Sequence, residues 1–135
     1  MDEKKDKMEL LKELIVEDEK ALEVLVSKIK NFMRLTKSGR PIFFIPYSSL
    51  SDEEKLSLHL IAQHLCKELG ITEKESIDLK ELSKRSGVRY KSASARLSEM
   101  YKQGIIEKTP SGEYYITLSG IEIIIDKIGK RLKKE

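Results

Sequence analysis

The run from Leu79 to Gly104, LKELSKRSGVRYKSASARLSEMYKQG, decides how the chain folds. Gly87 and Gly104 divide it, because a residue without Cβ is the usual stop where a helix ends in a left-handed turn. Asp78 stands just before the run and Glu81 three residues later, the spacing of a capping box, so the first piece is a short helix from Leu79 to Ser86. The second piece is helical from about Tyr90 to Gln103. Within it Ala93, Leu97 and Met100 recur at steps of four and three and form an inward face that Ile105 closes. The opposite face carries Lys91, Ser94, Ala95, Ser98 and Lys102, with Arg89 and Tyr90 at the leading tip. Its small residues give clearance to a close partner.

Charge concentrates in the same place. Between Lys84 and Lys102 six basic residues face the single acid Glu99, a local +5 in a chain of formal net charge +3, so the remainder sums to −2. A basic partner surface is thus a property of this stretch and not of the whole chain.

Working outward, Ser51 with Glu54 forms a second capping box and opens a helix running to Leu69 before Gly70. Leu56, Leu58, Leu60, Ile61, Ala62, Leu65, Cys66 and Leu69 cover more than half its circumference, which places it in the middle of a fold. Ser76 and Ile77 supply one extended pair. Downstream, Ile105 to Thr109 and Glu113 to Thr117 are short strands around the turn Pro110-Ser111-Gly112. Ser119 with Glu122 is read as a third capping box, starting a helix to about Leu132 whose inner stripe is Ile121, Ile124, Ile125, Ile128 and Leu132.

The first fifty residues are a separate unit in this reading, an extension to a domain spanning 51–135. No Pro or Gly occurs from Lys5 to Met33, and Leu11, Ile15, Leu22, Leu25, Ile29 and Phe32 follow helical spacing along one apolar seam. Asp18 interrupts that seam, so the long helix kinks or breaks there, or restarts with Asp18 as its cap. Lys37-Ser38-Gly39 reads as a tight turn before a strand from Pro41 to Ile45, ended by Pro46. Ile42 to Ile45 are four apolar residues in a row, which predicts cover on both faces of this strand.

The order helix, brief strand, short helix, Gly turn, second helix, strand, tight turn, strand, helix resembles the winged helix-turn-helix family between Ser51 and Ile128. Leu79 to Gly87 match its first motif helix and turn, Val88 the turn hydrophobe, and Gly104-Ile-Ile-Glu-Lys108 the entry to a wing. The fold class expected is mainly α with a small β wing (α+β), carrying an N-terminal long helix and β-hairpin. Small cytoplasmic transcription regulators of bacteria and archaea commonly have this form, so the resemblance implies duplex DNA as partner and transcription regulation as role. Arg89, Tyr90, Lys91, Ser92, Ser94, Arg96 and Lys102, with Lys108 on the wing, are the candidate contacts. Helices of this kind enter the major groove with their N-terminal residues leading. Ser92 is placed to cap or to hold a phosphate. Arg96 borders the core stripe and can instead pair with Glu99. No Asn or Gln stands there to read adenine.

Half-sites in DNA favour two-fold proteins, and the seam Leu11, Ile15, Leu22, Leu25, Ile29 and Phe32 is the candidate homodimer surface. The alternative is that the helix folds back on its own domain. A second reading keeps the fold and makes it a protein-interaction module in a transcription or replication assembly. RNA binding has little support, since no aromatic stacking platform is visible.

Other classes are disfavoured. His59, His64 and Cys66 are the only soft ligands, and His59 and Cys66, on one face, lie about 10 Å apart along a helix, beyond the reach of one zinc. No phosphate loop, nucleophile elbow or dinucleotide fingerprint occurs, so the expectation is a non-enzyme without cofactor or metal. A lone cysteine and a charged N-terminal MDEKKDKMEL, with no window of membrane-spanning length, point to the cytoplasm. An effector is not readable from the residues.

Overall fold

A computed structural model describes residues 3–12, 14 and 18–134, with side chains for 6–12, 14 and 20–132. Helices α1 (Glu3–Lys12) and α2 (Asp18–Ile29) lead to a hairpin of β1 (Met33–Leu35) and β2 (Pro41–Phe43) and a 3-10 turn at Tyr47–Ser49. Then follow α3 (Asp52–Glu68), α4 (Leu79–Ser86), α5 (Tyr90–Lys102), β3 (Ile106–Lys108), β4 (Tyr114–Ile116) and α6 (Leu118–Lys134). The protein is mainly helical, with two antiparallel hairpins.

α3 is the axis of the fold. Leu56, Leu58, Leu60 and Ile61 are completely or almost completely buried, and α4, α5, α6 and β4 pack around it. Each such side chain contributes about 1.5 to 3 kcal/mol on burial. Its start is a complete capping box: Ser51 Oγ accepts from the Glu54 amide at 3.2 Å, and Glu54 Oε1 accepts from the Ser51 amide at 2.9 Å. That Glu54 carboxylate is fully buried and also meets Arg131 of α6.

The two other expected boxes form differently. Asp78 caps α4 through the Glu81 amide at 2.7 Å, but the Glu81 carboxylate turns to Arg85 at 2.9 Å, leaving the box one-sided. For α6 the cap is Thr117 and not Ser119, its Oγ1 accepting from the Gly120 amide at 2.9 Å. The earlier start lets Gly120 sit against Ile105, where a Cβ would fall 2.0 Å from the carbonyl oxygen. Only glycine tolerates that approach.

Two helices carry the seam, α2 beginning at Asp18, and the seam is divided between different surroundings. Leu25, Ile29 and Phe32 lie in the same core as Ile121, Ile124, Ile125 and Ile128, because α2 packs on α6. They are therefore not available as a dimer surface, which corrects that expectation. Leu22 is half-buried, Leu11 is 46% exposed, and Ile15 lies outside the described residues. Leu25, Ile29, Phe32, Met33, Ile45 and Leu50 belong to the same buried cluster as the residues that follow.

The strand at 41–43 also departs from expectation. Ile45 is buried and Phe43 half-buried, but Ile42 and Phe44 are 45% and 60% exposed. An ordinary strand alternation has one face covered. Arg34 lies over the Phe44 ring at 5.9 Å.

Candidate nucleic-acid interface

α4 and α5 are joined by Gly87, Val88 and Arg89. Gly87 adopts φ 79, the left-handed region that ends α4, and Val88 drops into the core. Two serines hold this turn: Ser83 Oγ donates to the Val88 carbonyl, and Ser86 Oγ accepts from the Val88 amide at 3.2 Å. Tyr47 reaches across from the 3-10 turn to donate its hydroxyl to the Ser86 carbonyl. Neither the serines nor Tyr47 carried a signal in the sequence, because their partners are backbone groups brought near only by the fold.

On α5, Ala93, Leu97 and Met100 point into the core with at most 1% exposure. Arg89, Tyr90, Lys91, Ser94, Ala95, Ser98 and Lys102 are exposed, and Ser92 is half-buried. Arg89 occupies the N-cap position with φ −55 and ψ 142, and no side chain caps the helix. Ser92 does not act as a cap. The first amides of α5 thus face outward beside Arg89 and Lys91, at the positive end of the helix dipole.

The tip gathers Arg89, Tyr90, Lys91 and Ser92. Lys102 stands apart, eleven residues beyond Lys91, which is three turns and roughly 17 Å along the same face. Ser94, Ala95 and Ser98 lie between them, so the stripe is low and bracketed by two cations. Arg89, Lys91 and Lys102 have no ion-pair partner among the described residues, whereas Arg96 is paired with Glu99 at 3.2 Å. Arg96 is the candidate contact least available to an outside partner.

Lys108 is on β3 and not on this helix, with its ammonium 5.4 Å from the Tyr114 ring centre. The β3–β4 hairpin pairs Ile106 with Ile116 and Lys108 with Tyr114. Ile77 adds a one-residue bridge on the far side of β4, exchanging two 2.8 Å hydrogen bonds with Tyr114. Glu113 at the hairpin turn is tied to Ser76 Oγ at 2.7 Å and to Lys74 at 3.1 Å, bonds that hold its carboxyl below the usual range. The acid flanking the turn is thereby neutralised by Lys74, a residue thirty-nine positions away that sequence reasoning did not connect with it.

Both hairpins close with one motif, Thr-x-Ser-Gly. At Thr36 and at Thr109 the hydroxyl accepts from the amide four residues on at 3.0 Å and meets the serine hydroxyl at 2.9 Å, and Gly39 and Gly112 both have φ 90.

The soft ligands are engaged separately. His59 Nε2 meets the Tyr47 hydroxyl at 3.2 Å, His64 Nδ1 lies 3.3 Å from Glu75, and the Cys66 thiol donates to the Gly39 carbonyl at 3.3 Å. Among the described residues no group of three or more metal-ligating side chains assembles. Nor is any helix there long and apolar enough to cross a membrane.

No family model, curated protein or solved structure matches the chain.

Proposed function

We propose that the protein binds duplex DNA through α5, as a winged helix-turn-helix transcription regulator acting as a homodimer. The observation that carries this reading is the outer stripe of α5, small residues between Lys91 and Lys102 with an uncapped, basic tip at Arg89. A major groove about 12 Å wide admits a helix whose outward residues are short. Two lysines roughly 17 Å apart on one face are spaced to meet phosphates on either side of it. The amides at the start of α5 suit a further phosphate. In this assignment Arg89 and Tyr90 lead into the groove, Ser92 and Ser94 lie along its wall, and Lys108 reaches from the wing. Arg96 contributes only if it leaves Glu99.

A homodimer has to use surface other than Leu25, Ile29 and Phe32. Met8, Leu10, Leu11 and Leu14 are exposed apolar side chains at the N-terminal end, and they form the surface proposed for self-association. The same observation, with exposed Ile42 and Phe44, favours the second reading, a protein-docking module within a transcription or replication assembly.

The test is anisotropy of a labelled duplex titrated across ionic strength, together with the solution mass. The expected result is an affinity that falls steeply with salt, and an Arg89→Ala, Lys91→Ala double variant whose log-log slope is shallower by about two units. Equal affinity of parent and double variant for duplex at low salt would show this helix assignment to be wrong.

A further inference from the structure

A cavity of about 500 Å³ lies between the tip of the β1–β2 hairpin and the side of α3, with α4 at one end. Its volume is within the range of small-molecule sites. Arg40, Phe43, His59, Gln63, Cys66 and Arg85 define its character. At one end the hairpin seats tightly, because Gly39 brings its backbone so near Cys66 that a Cβ would fall 2.8 Å from the sulfur. Beyond that contact the hairpin and α3 stand apart, and the space between them is the cavity.

The lining has one sign of charge. Two arginines, Arg40 and Arg85, line it and no Asp or Glu does. Arg85 gives Nε to Glu81 at 2.9 Å and Nη1 to Gln63 at 2.9 Å, which orients the fork without occupying Nη2. Arg40 has no ion-pair partner among the described residues.

His59 supplies a neutral polar group. It is only 8% exposed. The Tyr47 hydroxyl gives its proton to Ser86, so it accepts from His59 Nε2, and this assigns the ring as the Nε2–H tautomer. Nδ1 is left as an acceptor with no hydrogen-bond partner among the described residues. Burial, and after it the neighbouring Arg85, push the His59 pKa down to about 4, so the imidazole is neutral. Pro41, the Cys66 thiol and the Phe43 ring, whose centre is 5.5 Å from that of His59, form the apolar part of the wall, and Ser38, Gln63 and Thr72 add neutral polar groups.

We propose that this cavity binds a small organic carboxylate with a flat apolar body, its carboxylate on Arg40 and Arg85 and its body against Phe43. Arg40, which has no ion-pair partner among the described residues, and the unengaged Nη2 of the Glu81-paired Arg85 call for an anion, Pro41 and Phe43 call for a hydrocarbon part that a bare inorganic ion lacks, and Nδ1 accepts from any O–H or N–H donor the ligand carries. Arg85 belongs to α4, so an occupant touches the hairpin, α3 and α4 together. The site stands on its own geometry and does not depend on what α5 binds.

The experiment follows the His59 Cε1–H resonance by NMR while the full-length protein, without DNA, is titrated with sodium benzoate. Benzamide, benzylamine and inorganic phosphate serve as neutral, cationic and non-apolar controls. The expected result is a saturable shift with benzoate at a Kd of about 1 mM or tighter, weaker binding by all three controls, and a loss of about tenfold in Arg40→Gln. Arg40 is an exposed turn residue, and the unchanged remainder of the spectrum reports that the variant is folded. The proposal is overturned by the absence of a saturable shift, by a control binding as tightly as benzoate, or by an Arg40→Gln variant that binds like the parent.

Discussion

Gly120 of α6 and Ile105, just ahead of β3, approach until a Cβ on the glycine would stand 2.0 Å from the Ile105 carbonyl oxygen. The neighbour is backbone, so it cannot swing away. Gly120→Ala is expected to destabilise the fold by about 1 to 3 kcal/mol, overriding the gain of about 1 kcal/mol that alanine brings to a helix interior. Gly129, nine residues on, is the internal control. A Cβ there meets only the Phe32 ring at 3.8 Å, an ordinary contact. Gly129→Ala is expected to stabilise by about 0.5 to 1 kcal/mol, and urea unfolding of the two variants checks both signs.

Glu54 joins the start of α3 to the far end of α6. One oxygen serves the Ser51 amide and Arg131, while Oε2 is buried without a partner. Glu54→Ala removes the carboxylate that accepts from the Ser51 amide and the ion pair together, keeps the Ser51 hydroxyl on the residue 54 amide, and should lose about 2 to 3 kcal/mol, below the figure for an enclosed pair because the Arg131 side chain is 37% exposed. Ser51→Ala removes the other half of the box, the hydroxyl that accepts from the Glu54 amide, and should lose about 1 kcal/mol. Chemical denaturation of both checks that the buried carboxylate is worth more than the hydroxyl cap.

His59 gives the protein a pH dependence of defined sign. Its pKa is about 4 in the folded chain against 6.5 for an ordinary histidine. Between these values the unfolded chain takes up the proton and the folded one does not, so stability is complete above pH 6.5 and falls as pH drops toward 4. At about pH 5 the loss is roughly 2 kcal/mol. Glu113, whose carboxyl is held below its usual 4.5, adds its own loss only at lower pH. A His59→Gln variant should lack the decline between about pH 6.5 and pH 5, as read by urea midpoints across that window.

Leu25 and Leu11 sit on one sequence seam and should behave oppositely. Leu25→Ala is expected to destabilise the monomer by about 2 to 5 kcal/mol through a cavity against α6. Leu11→Asp should leave stability within about 0.5 kcal/mol of the parent, because the side chain is exposed. Under the proposed self-association through the N-terminal end, it lowers the solution mass instead. Thermal unfolding and light scattering read the two effects independently.

Much of the architecture was legible because it rests on contacts between residues close in sequence. The capping box at Ser51, the glycine stops at 87 and 104, and the inward spacing of Ala93, Leu97 and Met100 are such signals. Other signals were local but ambiguous. Thr117 and Ser119 both precede a helical stripe, and the packing of Gly120 on Ile105 selects the earlier start. Ile42 to Ile45 carry the hydrophobicity of a doubly covered strand, yet only one side of the hairpin meets α3.

What the sequence by itself determined are the helices, their caps and stops, the two hairpins and the basic small-residue face of α5, since each follows from backbone preference and spacing over a few residues. Tertiary structure alone decided where the N-terminal seam is buried, which acids neutralise which bases, and that a cavity remains beside His59. Those outcomes depend on pairs such as Lys74 with Glu113, Glu54 with Arg131 and Tyr47 with Ser86. Their partners are thirty-nine, seventy-seven and thirty-nine residues apart, so no local pattern encodes them.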